Sequence, residues 1–122
     1  MKPSKIFKEL IVWQKAHQFV LAVYRYTAKF PKEETYGLTS QFRRAAVSIA
    51  ANIAEGYARK TKADKLRLLN IAQASLSESR YYILLSNDLG YGENDDLKPM
   101  ADEIGRLLTG YSRSIENPRT DS

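Results

Sequence analysis

"SQFRRAAVSIAANIAEGYARK", residues 40–60, is the stretch whose reading decides the fold. Phe42, Ala45/Ala46, Ile49, Ile53 and Tyr57, with Leu38 just ahead of them, recur every three to four positions, the period of one helix face. Ala45, Ala46, Ser48, Ala50, Ala51, Ala54 and Gly56 are small enough to let a neighbouring helix approach closely. The spacing predicts a packed helix over residues 38–58. Its polar members need a separate reason. Arg43 and Arg44 stand about 100° apart around a helix, so one faces solvent while the other lies at an edge. Ser48, Asn52 and Glu55 share a face. As chemistry, Arg44, Ser48, Asn52 and Glu55 would make a ligand site. As architecture, Ser48, Asn52, Glu55 and Glu78, with Ser75, would make an inter-helix hydrogen-bond network that fixes register. The architectural reading is preferred, because buried polar groups must be paired and no reactive group converges on the same face.

Working outward, three more helices follow from the same period. The first spans about residues 10–29, with Val12, Ala16, Phe19, Val23 and Phe30 on one face, and Pro31 ends it. The third spans about 62–89, with Thr61 as its N-cap and Gly90 as its stop. The fourth spans about 95–115, with Asn94 as cap, Asp95 and Asp96 in its first turn and Pro99 harmless there. Residues 116–122 read as a flexible tail. No convincing strand is found. Four helices with short links predict one all-α domain, an antiparallel up-down-up-down four-helix bundle.

The totals narrow the class of protein. The 122 residues are 43% hydrophobic and 27% charged, as expected of a globular chain in solution. There is no cysteine, so disulfides and thiolate metal sites are excluded. No secretion signal and no run of roughly 20 apolar residues is present, which points to a cytoplasmic protein with no membrane role. The net charge of +5 is unevenly spread: residues 1–32 carry +6, residues 33–67 carry +3 and residues 68–122 carry −4. Such a distribution either attracts a polyanion or docks copies basic face to acidic face.

Catalysis finds no support in the motifs. His17 is the single histidine, and Glu9 is too far along the helix to be its metal partner. There is no phosphate-binding glycine loop, no G-x-S-x-G turn and no Glu-x-x-His. The expectation is a protein that is not an enzyme and holds no cofactor or metal. The functional candidate is "RKTKADKLR", residues 59–67, where Arg59, Lys60, Lys62, Lys65 and Arg67 face one Asp at the turn between the second and third helices. Lys2, Lys5 and Lys8 would add to it if the N-terminal segment folds that way, and Arg43 or Arg44 would help. Such a cluster binds RNA or DNA through phosphate, without reading sequence. The plain alternative is a solvated corner. The eight tyrosines are better explained by packing than by base stacking.

Apolar surface is also in surplus. The first helix has a second set, Ile11, Trp13, Val20, Leu21 and Tyr24, and the third is apolar around more than half its circumference. A lone bundle helix needs one stripe, so the surplus predicts a homo-oligomer.

One resemblance follows from an ordered series of motifs over roughly residues 6–115. They are Val12-Trp13-Gln14, Phe30-Pro31, Tyr36-Gly37-Leu38, Ser40-Gln41 with Arg43-Arg44-Ala45, Ser48-Ile49, Asn52-Ile53-Ala54-Glu55-Gly56, and Ser75-Leu76, Glu78 and Leu89-Gly90-Tyr91. In these the chain resembles the 23S rRNA-intervening-sequence proteins, departing at Ala74, where glycine is expected. The resemblance implies a left-handed antiparallel bundle and a ring-like homo-oligomer, a pentamer being favoured. It also implies candidate partners: RNA, or a protein such as a retroelement reverse transcriptase for which the bundle is an accessory or scaffold. It implies no catalytic residues.

Overall fold

Each of the four periodic stretches coils into an α-helix in the computed structural model, which describes residues 6–118. They are α1 (Ile11–Thr27), α2 (Leu38–Ala58), α3 (Lys62–Asp88) and α4 (Leu97–Glu116). Short 3₁₀ turns at Phe7–Glu9 and Lys32–Glu34 precede α1 and α2, and there is no strand among the described residues. α2 packs against α1 and α3, and α4 against α3 and α1, while the diagonal pairs do not approach. The result is a helical bundle. The sequence predicts a flexible tail from residue 116, but α4 runs through Glu116. Residues 119–122 of that expected tail lie outside the described part.

The core is the set that the period selects. Phe19, Val23, Phe42, Ile49, Ile53, Leu69, Ile104 and Leu108 are fully buried. Burying each such side chain stabilises by about 1.5–3 kcal/mol. Small residues bring α2 and α3 together: a Cβ added at Gly56 would sit 3.5 Å from Leu68 Cβ, and Ala45 and Ala46 are buried.

The helix ends follow from their backbone partners. Thr61 caps α3 by accepting from the Asp64 amide at 3.1 Å. At the other end Gly90 turns left-handed (φ 76°), its N–H reaches Asn87 O, and the Tyr91 N–H reaches Ser86 O, both at 3.0 Å. This is a Schellman closure, and it needs a residue that tolerates positive φ. α1 stops at Thr27 rather than near Lys29. The Lys29 and Phe30 amides bond three residues back, to Tyr26 O and Thr27 O, so the last turn tightens before Pro31.

α4 begins at Leu97, later than expected, because Asn94 is drawn into the core instead of serving as a side-chain cap. Its Nδ2 donates to Ile83 O at 3.0 Å and to Tyr26 Oη at 3.2 Å, and its carbonyl accepts from the Leu97 amide at 3.0 Å. Asp95 and Asp96 therefore precede the helix. The Tyr26 hydroxyl donates toward Ser86 Oγ at 3.0 Å and Gly92 O at 3.2 Å, which ties α1 to the end of α3 and to its following loop.

The α1–α2 link and the α3–α4 link meet through Tyr91, whose hydroxyl donates to Glu34 Oε2 at 2.7 Å. The other oxygen of Glu34 accepts from the Leu38 amide at 3.1 Å, an orphan donor of the first turn of α2. These bonds, that of Tyr91 first, hold the Glu34 carboxyl below its ordinary value of 4.5. A carboxylate so lowered stabilises the fold above its unfolded value, and that contribution is lost as pH falls through the lowered one. Urea midpoints measured from about pH 6 down to about pH 3 should therefore fall less steeply for Glu34→Gln than for the parent. Parallel acid limbs would contradict the assignment.

Ser79 is the exception to polar pairing. It is fully buried on α3, and its hydroxyl has no partner among the described residues. An unmatched buried hydroxyl costs about 1–3 kcal/mol, and alanine removes it without opening a large space. Ser79→Ala should raise the unfolding midpoint by an amount worth about 1 kcal/mol. A lowered midpoint would show that Ser79 has a polar role.

Candidate nucleic-acid interface

The corner between α2 and α3 divides the predicted basic run into two kinds of residue. Arg59, Lys60 and Lys62 are exposed, and none meets a carboxylate among the described residues. Lys65 turns inward instead. Its ammonium donates to Tyr57 O at 2.8 Å and Gly56 O at 3.4 Å, and lies 5.7 Å from the Tyr57 ring centre. It satisfies the Tyr57 carbonyl, which the end of α2 leaves open, shares Gly56 O with the Arg59 amide, and sits at the negative end of that helix. Arg67 is exposed and faces Asp64 at 3.8 Å, one turn earlier on α3. Lys2 and Lys5 lie outside the described residues.

Neither arginine of the opening stretch is at this corner. Arg43 is half-buried and closes α1: its Nε donates to Thr27 Oγ1 at 2.8 Å and Nη2 to Tyr24 O at 3.3 Å. Its guanidinium also lies over the Tyr24 ring, 4.4 Å from the centre. Arg44 is exposed. It stands fifteen residues before Arg59, so a helix rise puts it about 22 Å away.

The polar face of α2 forms part of the expected network. The Ser75 hydroxyl donates to Ser48 Oγ at 2.8 Å, and Asn52 Nδ2 donates to Ser48 O at 2.8 Å. Glu55 and Glu78 are not in it. Glu55 is exposed, and Glu78 instead accepts from the Tyr82 hydroxyl at 2.6 Å, close to Gln41. Burial first, and then this bond to Glu78, push the Tyr82 hydroxyl up to about 12. His17 is exposed and stacks on Trp13, with ring centres 5.0 Å apart. No group of three metal-binding side chains occurs among the described residues, and none of the described helices is long and apolar enough to cross a membrane.

The acidic balance of residues 68–122 lies mainly ahead of the last helix. Asp88, Glu93, Asp95 and Asp96 border or occupy the α3–α4 link, whereas α4 itself carries Lys98, Arg106 and Arg113 against Asp102, Glu103 and Glu116. Arg106 and Arg113 face outward beside α3, an arrangement the sequence reading missed. Their spacing of seven was the available signal, since it places both on nearly one side of a helix.

Comparison with known proteins shows the fold and the family. The crystal structure of a protein of unknown function from the S23 ribosomal protein family of Bacteroides thetaiotaomicron VPI-5482 superposes with a TM-score of 0.74, at 24% identity over 84% of this chain and 96% of that one. No curated protein matches. The family model for 23S rRNA-intervening sequence proteins matches residues 8–110, and the chain belongs to that family.

Proposed function

We propose that this protein is a non-enzymatic homo-oligomer that binds RNA, or a nucleoprotein, through phosphate contacts at the α2–α3 corner. One observation carries the reading: Arg59, Lys60 and Lys62 are exposed, and no carboxylate among the described residues neutralises them. Exposed unpaired cations lose little on binding phosphate, and each releases a counterion in doing so. In this proposal the fold is an up-down-up-down bundle, left-handed as the family resemblance implies. The antiparallel run of α2 and α3 supports the up-down part: Gln41 pairs with Tyr82, Ser48 with Ser75, and Gly56 with Leu68.

Self-association draws on uncovered apolar side chains. Ile11, Leu21 and Tyr24 on α1 are exposed, as are Tyr81 and Leu84 on α3, while Trp13 and Val20 pack against the core. A pentameric ring, the form the family resemblance favours, repeats the corner around its axis and multiplies weak contacts. A second reading, a scaffold for a protein partner such as a reverse transcriptase, is favoured by Tyr81 at 56% and Leu84 at 57% exposure.

The test is the binding of a structured RNA followed by fluorescence anisotropy across salt. Affinity should fall steeply between about 50 and 200 mM. Salt-insensitive binding, or none at about 50 mM, would overturn the reading.

A further inference from the structure

The outer groove between α3 and α4 holds a second basic surface, which meets the corner run at Arg67 and does not include Arg59, Lys60 or Lys62. Its side chains come from positions far apart in the chain, and packing brings them together. Gln73, Arg80, Arg106, Thr109 and Arg113 line an open trough of about 630 Å³. Arg67, Gln73, Thr109 and Arg113 line its continuation toward the start of α3. The carboxylates in it are Asp102 and Glu116. Asp102 is already held by Arg80 at 2.9 Å and Lys98 at 3.5 Å. Arg106 and Arg113 are exposed and meet no carboxylate among the described residues. Arg67 has, among the described residues, a single carboxylate contact, with Asp64 at 3.8 Å.

We infer that this groove is a track for the phosphate backbone of a single nucleic-acid strand. The inference rests on the RNA-binding reading and adds a second contact surface to it. Arg106 and Arg113 stand seven residues apart, about 10 Å along α4 and nearly on one side of it. Arg67 and Arg80 stand thirteen apart, about 20 Å along α3. The guanidinium forks thus border an elongated channel, with neutral amide and hydroxyl donors between them, and such forks suit phosphate oxygens.

The groove lacks what other occupants require. A partner helix would need apolar pockets for its anchoring side chains, and Leu66 is the one large apolar residue in a lining otherwise of polar and small residues. No aromatic ring lines it, so bases have nothing to stack on and the backbone alone is recognised. Axes of packed helices lie about 8–10 Å apart, so the furrow between them admits one strand and not a whole duplex. Gly110 lies at the outer edge, and a Cβ there would meet nothing within 4 Å, which leaves room for a strand to come close.

The test is anisotropy with a fluorescein-labelled oligouridylate and, separately, a duplex RNA of equal length. Arg106→Gln/Arg113→Gln removes two exposed cations with no hydrogen bond or ion pair from their side chains among the described residues. In about 0.1 M salt it should bind oligouridylate about 25-fold more weakly, with the salt slope reduced by about 1.4. Gly110→Glu places a carboxylate in the open space and replaces glycine with a better helix former, so its helical circular dichroism is retained. It should weaken binding by about fivefold.

Parent affinity and slope in both variants, alongside a loss when Arg59, Lys60 and Lys62 are neutralised, would overturn the groove and leave the corner standing. A parent protein that binds the duplex but not oligouridylate would also overturn it. A parent that binds neither RNA at about 50 mM salt would remove the RNA-binding reading itself, and the groove with it.

Discussion

A chain carrying Arg59→Gln, Lys60→Gln and Lys62→Gln is expected to bind single-stranded RNA about a hundredfold more weakly than the parent in about 0.1 M salt. Each phosphate contact on a single strand contributes about 0.7 to the logarithmic salt slope, so three contacts account for about two decades at that concentration. The loss should shrink as salt rises, because counterion release contributes less there. Urea midpoints should stay within about 0.5 kcal/mol of the parent, since all three side chains are exposed and make no ion pair among the described residues.

Lys65→Met is the control from the same run. Its ammonium closes the end of α2 on Tyr57 O and Gly56 O. That variant should lose stability and change the salt slope little. If Lys65→Met reduced RNA affinity as much as the triple variant does, the division of the run into free and internally engaged cations would be wrong. If the triple variant bound as the parent does, the corner would be a solubilising surface.

The fold was legible in this sequence wherever the deciding signal was local. The bounds of α2 and the first residue of α3 depend on an apolar period and a threonine cap, and both are visible within a few residues. The start of α4 was less legible, because Asn94 is a good cap by type. Its partners, Ile83 O and Tyr26 Oη, lie eleven and sixty-eight residues away.

The same limit applies to the candidate site. A run of five cations within residues 59–67 is plain from the sequence. That Lys65 reaches back to helix-end carbonyls requires knowing where α2 ends in space. Most of the groove arginines never form a run. Arg67 closes the basic run, but Arg80, Arg106 and Arg113 are spread through residues 68–122, whose net charge of −4 suggested an acidic surface. The acids collect in the link before α4, and packing separates the two signs.

The opening stretch supplies the largest stability prediction, a steep gradient over three adjacent residues. Phe42→Ala should cost about 3–5 kcal/mol. The ring is fully buried, 5.7 Å from the Tyr82 ring and 6.4 Å from the Tyr26 ring by centres, so truncation removes contacts with α1 and α3 together. Arg43→Met keeps the length of the side chain but loses the bonds to Thr27 Oγ1 and Tyr24 O. The latter bond is exposed and water replaces part of it, so the cost should be about 1–2 kcal/mol. Arg44→Met, with no partner among the described residues, should stay within about 0.5 kcal/mol. Urea unfolding at one fixed protein concentration reads all three, since association would shift midpoints with concentration. One helical step of about 100° separates each residue from the next. The gradient therefore measures which way this helix faces: inward at Phe42, along the seam with α1 at Arg43, and outward at Arg44. An Arg44→Met cost equal to that of Arg43→Met would mean that a partner, from this chain or another copy, covers the face assigned here to solvent.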